Sequence, residues 1–257
     1  MNEWLQLYRD PLFWLFPVAT NLVSMAAFLL FALPMTWVAT RDPAWARRYR
    51  IQSRHEKQIG VVEALRTWLI NNLWMFAVAI IGWPLLRHTT IHLGALPPWY
   101  VIAFQVVLFI YVDDFLYYWM HRGMHMRFML KHVHGWHHRI YAPRAVVGHY
   151  MHPFEYVATG LLALAGPTLV GAHVVTVWIW IVFRQWEASE GHCGYDFPWS
   201  PTRWLPFSDG ALHHDFHHAK VRGNFAGFLS WTDRVFGTYV ADYPAERARV
   251  RTAQQAT

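Results

Sequence analysis

Long apolar runs separated by short polar stretches set the pattern of the first two thirds of this chain. A hydrocarbon core asks for about 20 apolar residues per helix. Residues 13–39 meet this, with Pro17 and Pro34 near the ends, and so do 68–86 and 99–119. The stretch 156–186 is long for one crossing and carries Gly166-Pro167 near its middle. That dipeptide is a turn signal, so a helical hairpin is expected there. Residues 120–155 and 187–245 then form a histidine-rich cap. The fold class expected is all-α: an integral membrane helical bundle of about three spans plus a hairpin, with the cap, as a single domain over 1–257. The polar tail from Glu246 onwards is expected to fray.

Composition supports a membrane setting. Of 257 residues, 55% are hydrophobic and 15% charged, against about 25% charged in a typical soluble domain. Sixteen Trp, with aromatics near the ends of the apolar runs, suit a membrane interface. A formal charge of +6 raises the question of nucleic acid. The basic residues instead flank apolar segments and share no face with stacking aromatics, so anionic headgroups are the expected partner and nucleic acid is not. The single Cys193 excludes an internal disulfide and any cysteine-based metal site. The chain opens without a basic run, and the apolar stretch that follows is long enough to span, so no cleaved signal is expected.

Lys/Arg bias orients the spans. The first inter-span stretch holds Arg41, Arg47, Arg48, Arg50, Arg54, Lys57 and Arg66, whereas 87–98 holds only Arg87. The first loop is therefore expected in the cytoplasm. Three spans and a hairpin then put the cap and its active site on the cytoplasmic side of a multi-pass membrane protein.

Fourteen of the 17 histidines lie between 121 and 218, and their spacing is informative. His121 and His125 are four apart on the continuation of a predicted helix, so both imidazoles can reach one metal. His134, His137 and His138, and again His214, His217 and His218, stand at i, i+3 and i+4, one face of a helix. One tetrahedral zinc takes about four ligands, so eight imidazoles imply two ions. Burying them without metal would leave many nitrogens unpaired, at about 1–3 kcal/mol each. Imidazole suits Zn, Cu, Fe and Ni, and the chain offers no thiolate set. Iron is favoured because two adjacent redox ions beside lipid helices suit oxygen activation, while zinc stays open. His55, His88, His92 and His173 stand alone and read as satisfied core residues.

The order His-x3-His, His-x2-His-His, His-x2-His-His after apolar helices resembles the fatty acid hydroxylase and sterol desaturase superfamily. Further stretches are similar: Asp114-Phe-Leu-Tyr-Tyr-Trp-Met-His121-Arg, His152-Pro153-Phe-Glu155, Glu190-Gly-His192-Cys-Gly-Tyr-Asp-Phe-Pro, and Asn224 through Asp233 to Gly237-Thr. Tyr49-Arg50-Ile51-Gln52 faintly matches the sterol-oxidising branch. The resemblance covers roughly residues 111–239. It implies two non-haem irons in a cytosolic cap, above a substrate tunnel between the helices. The ligands it implies are His121, His125, His134, His137, His138, His214, His217 and His218, with His192 as a further one. His152 is either a ligand or a support for one. His213 and His132 fall off the shared faces, as supports or surface residues. Only His192 stands where the acyl 2-hydroxylase branch has a His-x3-His pair, which argues against a ceramide-type 2-hydroxylase.

Carboxylates carry two readings each. Asp114, two turns before His121, could accept an imidazole N–H or pair with Arg122. Glu155 could support His152 or pair with Arg144. Asp215 and Asp233 read as caps or orienting groups, Asp113 as interfacial, and Trp231 and Tyr239 as packing residues.

The function expected is O2-dependent hydroxylation of a sterol, fatty acyl or related lipid, with desaturation by the same site as the alternative. A membrane zinc hydrolase would need His-Glu-x-x-His, and the first cluster has Arg122 in the second position. A non-catalytic metal or haem protein is disfavoured because the clusters lie beyond the spans and are too numerous. The chain has no glycine-rich nucleotide motif, no cysteine ligands and no cytochrome b5 module, so electrons are expected from a separate carrier. Arg122, Arg127, Lys131, Arg139, Arg144, Arg203, Lys220 and Arg222 suit an acidic one, of ferredoxin or cytochrome b5 type; the same residues also suit lipid headgroups.

Overall fold

The computed structural model describes residues 3–52 and 59–255. His55, read as a core residue, lies outside them. Among the described residues the chain is helical, and backbone pairing is confined to three isolated bridges. Helix α1 (Pro11–Arg41) opens on Asp10, whose carboxylate accepts the Leu12 N–H, and Pro11 fills the first position, where no N–H is needed. Pro17 falls in a wide turn at Trp14–Val18, which absorbs the missing donor. Helices α2 (Val61–Leu86) and α3 (Trp99–Met124) follow, starting at Gly60 and Pro98. The spans expected at 13–39, 68–86 and 99–119 thus lie inside longer helices, and α3 runs on to carry His121.

The hairpin forms, but its turn is displaced. Its first arm is α4 (Pro153–Leu162) and α5 (Ala165–Val170), its second α6 (Val174–Gly191). Gly166-Pro167 sits inside the first turn of α5, where proline is tolerated. Gly166 serves packing: a Cβ there would stand 2.9 Å from the Phe109 ring of α3. The chain reverses instead at Gly171, which closes α5 in the left-handed region at φ +63°. The Trp180 indole donates to the Ala163 carbonyl left free at the α4–α5 break.

Among the described residues, four segments are long and apolar enough to cross a membrane: α1, α2, α3 and the arm Pro153–Val170. Their outer faces carry exposed Leu30, Ile81, Leu85, Trp99 and Phe104, more apolar surface than a soluble chain leaves open. Helix α6 packs along α1 and also against α3. Its second half is polar, and Arg184 Nε donates to Asp113 Oδ2 of α3 at 3.0 Å. Asp113 is therefore a buried partner in the bundle, not an interfacial residue.

The cap consists of a short helix (Arg127–His132), a 3-10 turn (His134–Arg139), α7 (Ala211–Lys220), α8 (Trp231–Val235) and α9 (Tyr243–Gln255). The loop after α1 is tied to it: Ile51 N–H donates to Gly194 O, and Asp196 N–H to Tyr49 O. Gln52 donates to Asp215 Oδ1 at 2.6 Å, so the Tyr49–Gln52 stretch braces α7. The tail expected to fray is helical through Gln255, because Tyr243 and Val250 are buried and Arg247 pairs with Asp209 at 2.7 Å.

Removing one partner of a buried ion pair strands the other charge, at about 3–5 kcal/mol. Arg184→Met should therefore lower the thermal unfolding temperature of the detergent-solubilised protein sharply. The double variant Asp113→Leu/Arg184→Met should recover more than half of the loss.

Candidate metal centre

The elements of the cap bring nine imidazoles into two groups. His121, His125, His134, His138 and His217 form the first, and His137, His192, His214 and His218 the second. Within each, one nitrogen per ring lies within 4.8 Å of all the others. His121 sits in the last turn of α3 and His125 at its C-terminal cap. His192 caps α6, and α7 carries the last three. Each His-x2-His-His triplet is divided: its i and i+4 members serve one group and its i+3 member the other. The one-face reading therefore holds for the outer pairs, His134/His138 and His214/His218, while His137 and His217 cross over. The turn is 3-10, and Gly135 within it passes close to Leu130 O, which a Cβ would approach to 2.4 Å.

Tautomers define what these rings offer. His121 Nδ1 faces Phe225 O at 2.7 Å, His217 Nδ1 faces Gly223 O at 2.6 Å, His192 Nδ1 faces Ala188 O at 2.8 Å and His218 Nδ1 faces Ile140 O at 2.9 Å. A carbonyl only accepts, so each Nδ1 carries the hydrogen and each Nε2 presents a bare lone pair. His134 Nδ1 is held the same way by Glu155 Oε1 at 2.6 Å. Yet His192 and His218 Nε2 stand 3.2 Å apart, and His121 and His134 Nε2 3.0 Å. No proton is available between these lone pairs, and only a cation turns their repulsion into attraction. Two nitrogens each about 2.1 Å from an ion, at about a right angle, stand ~3 Å apart. The residues fit a pair of metal ions.

Protonation is arranged for that role. Burial, reinforced by neighbouring imidazoles, holds His137, His138, His214 and His218 well below the ordinary histidine value. Burial also brings His192 down to about 4, His217 to about 3 and His125 to about 2. Neutral imidazole is the form that binds metal.

The remaining candidates divide. Glu155 supports His134, not His152 or Arg144. His152 lies outside both groups: it caps α4, accepting from Phe154 N–H at 3.2 Å, and packs on Trp136. Asp114 Oδ1 accepts neither an imidazole nor Arg122 but the Phe228 and Leu229 N–H groups, both at 3.1 Å. That contact ties the loop before α8 to α3. His213 is buried, with Nε2 3.3 Å from Asp233 Oδ2, and Asp233 also accepts the Phe225 and Ala226 N–H groups. The Asp233 contacts thus fix the Phe225 carbonyl that orients His121. His132 is exposed, as are His88 and His92, which were read as core residues; His173 is buried and caps α6.

His149 was not singled out: His152 stands three residues on, but α4 begins only at Pro153, so the two share no helix face. It is buried, stacks on Phe28 at 4.3 Å, leaves Nδ1 unpartnered and is pushed by burial to about 3. With His192, His214, Tyr117, Arg184 and Glu187 it lines a cavity of about 40 Å³ beside the second group.

A family model described as fatty acid hydroxylase matches residues 106–238. Among curated proteins, the very-long-chain aldehyde decarbonylase GL1-11 of Oryza sativa is 34% identical over 231 residues, covering 88% of this chain and 86% of the relative. Methylsterol monooxygenase 2-2 of Arabidopsis thaliana is 30% identical over 226 residues, 86% and 84% of the two chains. The shorter match to very-long-chain aldehyde decarbonylase GL1-8 of Oryza sativa reaches 41% over 146 residues, 56% and 54% of the two chains. No solved structure matches the chain.

Protein purified in detergent after iron-replete expression should carry two metal ions per chain by elemental analysis. A methyl group on Gly148 would stand 2.9 Å from the His192 ring, so Gly148→Ala should displace that ligand and leave about one ion. Glu155→Gln should keep the fold and weaken metal retention by about 10–100-fold, as loss of a ligand's orienting partner does.

Proposed function

This chain belongs to the fatty acid hydroxylase family, and from that premise we propose that it is an O2-dependent di-iron lipid hydroxylase. The observation that carries the reading is the pair of imidazole groups whose bare Nε2 lone pairs converge at the end of an apolar bundle. The nine residues that would hold the two irons are His121, His125, His134, His137, His138, His192, His214, His217 and His218. Bound there, the irons would supply O2 activation for insertion into an aliphatic C–H bond.

The protein's own part is to orient, exclude water and position. Backbone carbonyls and Glu155 fix the imidazoles, and burial keeps them neutral. A second cavity, of about 80 Å³, lies among α1, α2, α4 and α6 and is lined by Phe16, Met75, Val78 and Ile181. Arg184 borders both this cavity and the one beside His192 and His214. In this reading a lipid approaches the centre from within the bundle, past these two cavities. The printed names of the relatives support such a substrate, since methylsterols and very-long-chain aldehydes are both large and apolar. The monooxygenase, matched over nearly the whole chain, favours oxygen insertion over desaturation.

The cap is read as cytoplasmic and served by a separate carrier of ferredoxin or cytochrome b5 type. Arg122, Lys131, Arg139 and Lys220 are exposed on it, and charge complementarity there would speed encounter.

Supplied with lipid, a reductase–carrier chain and isotopically labelled O2, the protein should place one labelled oxygen in the product. Water-derived oxygen in the product, without O2 uptake, would instead mark a hydrolase. Reporters fused after Thr257 and placed in the loop 41–66 should face the cytoplasm, and one near Leu93 the opposite side. Replacing Arg139 and Lys220 by Glu should slow reduction by the carrier and leave turnover with a small-molecule reductant unchanged; equal carrier kinetics would assign that surface to headgroups.

A further inference from the structure

Glu187 lies on α6, is 2% exposed, and neither carboxyl oxygen has a hydrogen-bond partner among the described residues. It lines the cavity that touches His192 and His214. The neighbouring charges are already engaged. Arg184, one turn earlier, pairs with Asp113, and Glu190, one turn later, accepts from Trp186 and Thr202. A carboxylate buried with no cation or donor costs far more than one that takes up a proton. The carboxyl at this wall is therefore the neutral acid. An ionisable group retained inside a membrane bundle marks a functional site. Beside Arg184 and the two imidazoles of the second group, the wall's other polar side chains are Tyr117, His149 and Thr159, and a phenol, a neutral imidazole and an alcohol are weaker acids.

We propose that Glu187 is the proton donor to oxygen chemistry at this centre, an inference that rests on the oxygenase reading above. In that reaction the O–O bond and a substrate C–H bond break. One oxygen enters as a hydroxyl group and the other leaves as water, taking up two electrons from the carrier and two protons. In a site closed to solvent those protons need a built source, and Glu187 gives one across the cavity. General acids of this kind contribute about 10²–10⁴-fold.

Glu187→Gln keeps the shape and removes the acid, and Glu187→Asp keeps the acid at shorter reach. The Gln variant should retain two metal ions, form product about 100-fold more slowly, and release hydrogen peroxide from the O2 it consumes. The Asp variant should fall between it and wild type. Infrared spectra of metal-free protein should carry the C=O band of a buried neutral carboxyl that Glu187→Gln removes. An unchanged band would overturn the proposal, since an ionised group has no proton to give. So would a Gln variant coupled as tightly as wild type. If the Gln variant loses metal, the Asp variant decides: partial peroxide release supports the role, and wild-type coupling refutes it. Absence of label incorporation by the wild type would overturn the oxygenase reading and the donor role together, whereas an active wild type beside a fully coupled variant overturns the donor role alone.

Discussion

Lone pairs facing lone pairs are the constraint on which the cap is built. His192 and His218 each give their only ring hydrogen to a carbonyl, and their other nitrogens stand 3.2 Å apart in the buried interior. Imidazoles free to choose would turn one ring and share a proton. These are prevented by the acceptors behind them: Ala188 O and Ile140 O here, Phe225 O, Gly223 O and Glu155 in the other group. The second layer of contacts thus does more than hold rings still. It removes the protons that would compete with a cation.

The same economy governs the bundle beneath. A membrane segment tolerates an ionisable group only where it is paired or placed for use. Asp113 and Arg184 neutralise each other. Asp114 takes two backbone donors from the loop that leads into α8, so a carboxylate that looked like an imidazole's partner is a clamp between span and cap. Glu187 has neither kind of partner, and it alone of these three acids lines the cavity at the second group.

What the sequence disclosed follows from how far each signal reaches. Hydropathy over about 20 residues marks a span whatever packs beside it, so the helices fell where expected. Histidine spacing marked eight of the nine rings, because helical offsets are local, and the family resemblance added His192. Spacing could not reveal that His137 and His217 cross to the other group, since that depends on where two separate elements meet. Gly166-Pro167 misled for a related reason. The dipeptide is a turn signal in isolation, but here Gly166 makes room for Phe109, and Gly171 supplies the left-handed residue. Glu155, nearest in sequence to His152, bonds His134, 21 residues away. His149 stands three residues before His152, but the chain between them is not helical, so that spacing marks no shared face. Fold class and the clustering of the histidines were legible; the partners behind those rings are tertiary and were not.

This division bears on how the cap holds together. Its elements are short: a six-residue 3-10 turn, a ten-residue α7 and a five-residue α8. Helices under about 12 residues are marginal by themselves in water. Yet the first group joins the end of α3, the 3-10 turn and α7, and the second joins α6, the same turn and α7. Any ion bound in either group cross-links three elements, and because the triplets are split between groups, both ions would hold the turn and α7 at once. Ligand binding to the folded state adds stability as RT ln(1 + [L]/Kd), so affinity for a metal bound there would become cap stability. A chain that placed each triplet wholly in one group would gain no such coupling. The crossing of His137 and His217 thus makes the centre the core of the cap as well as its site.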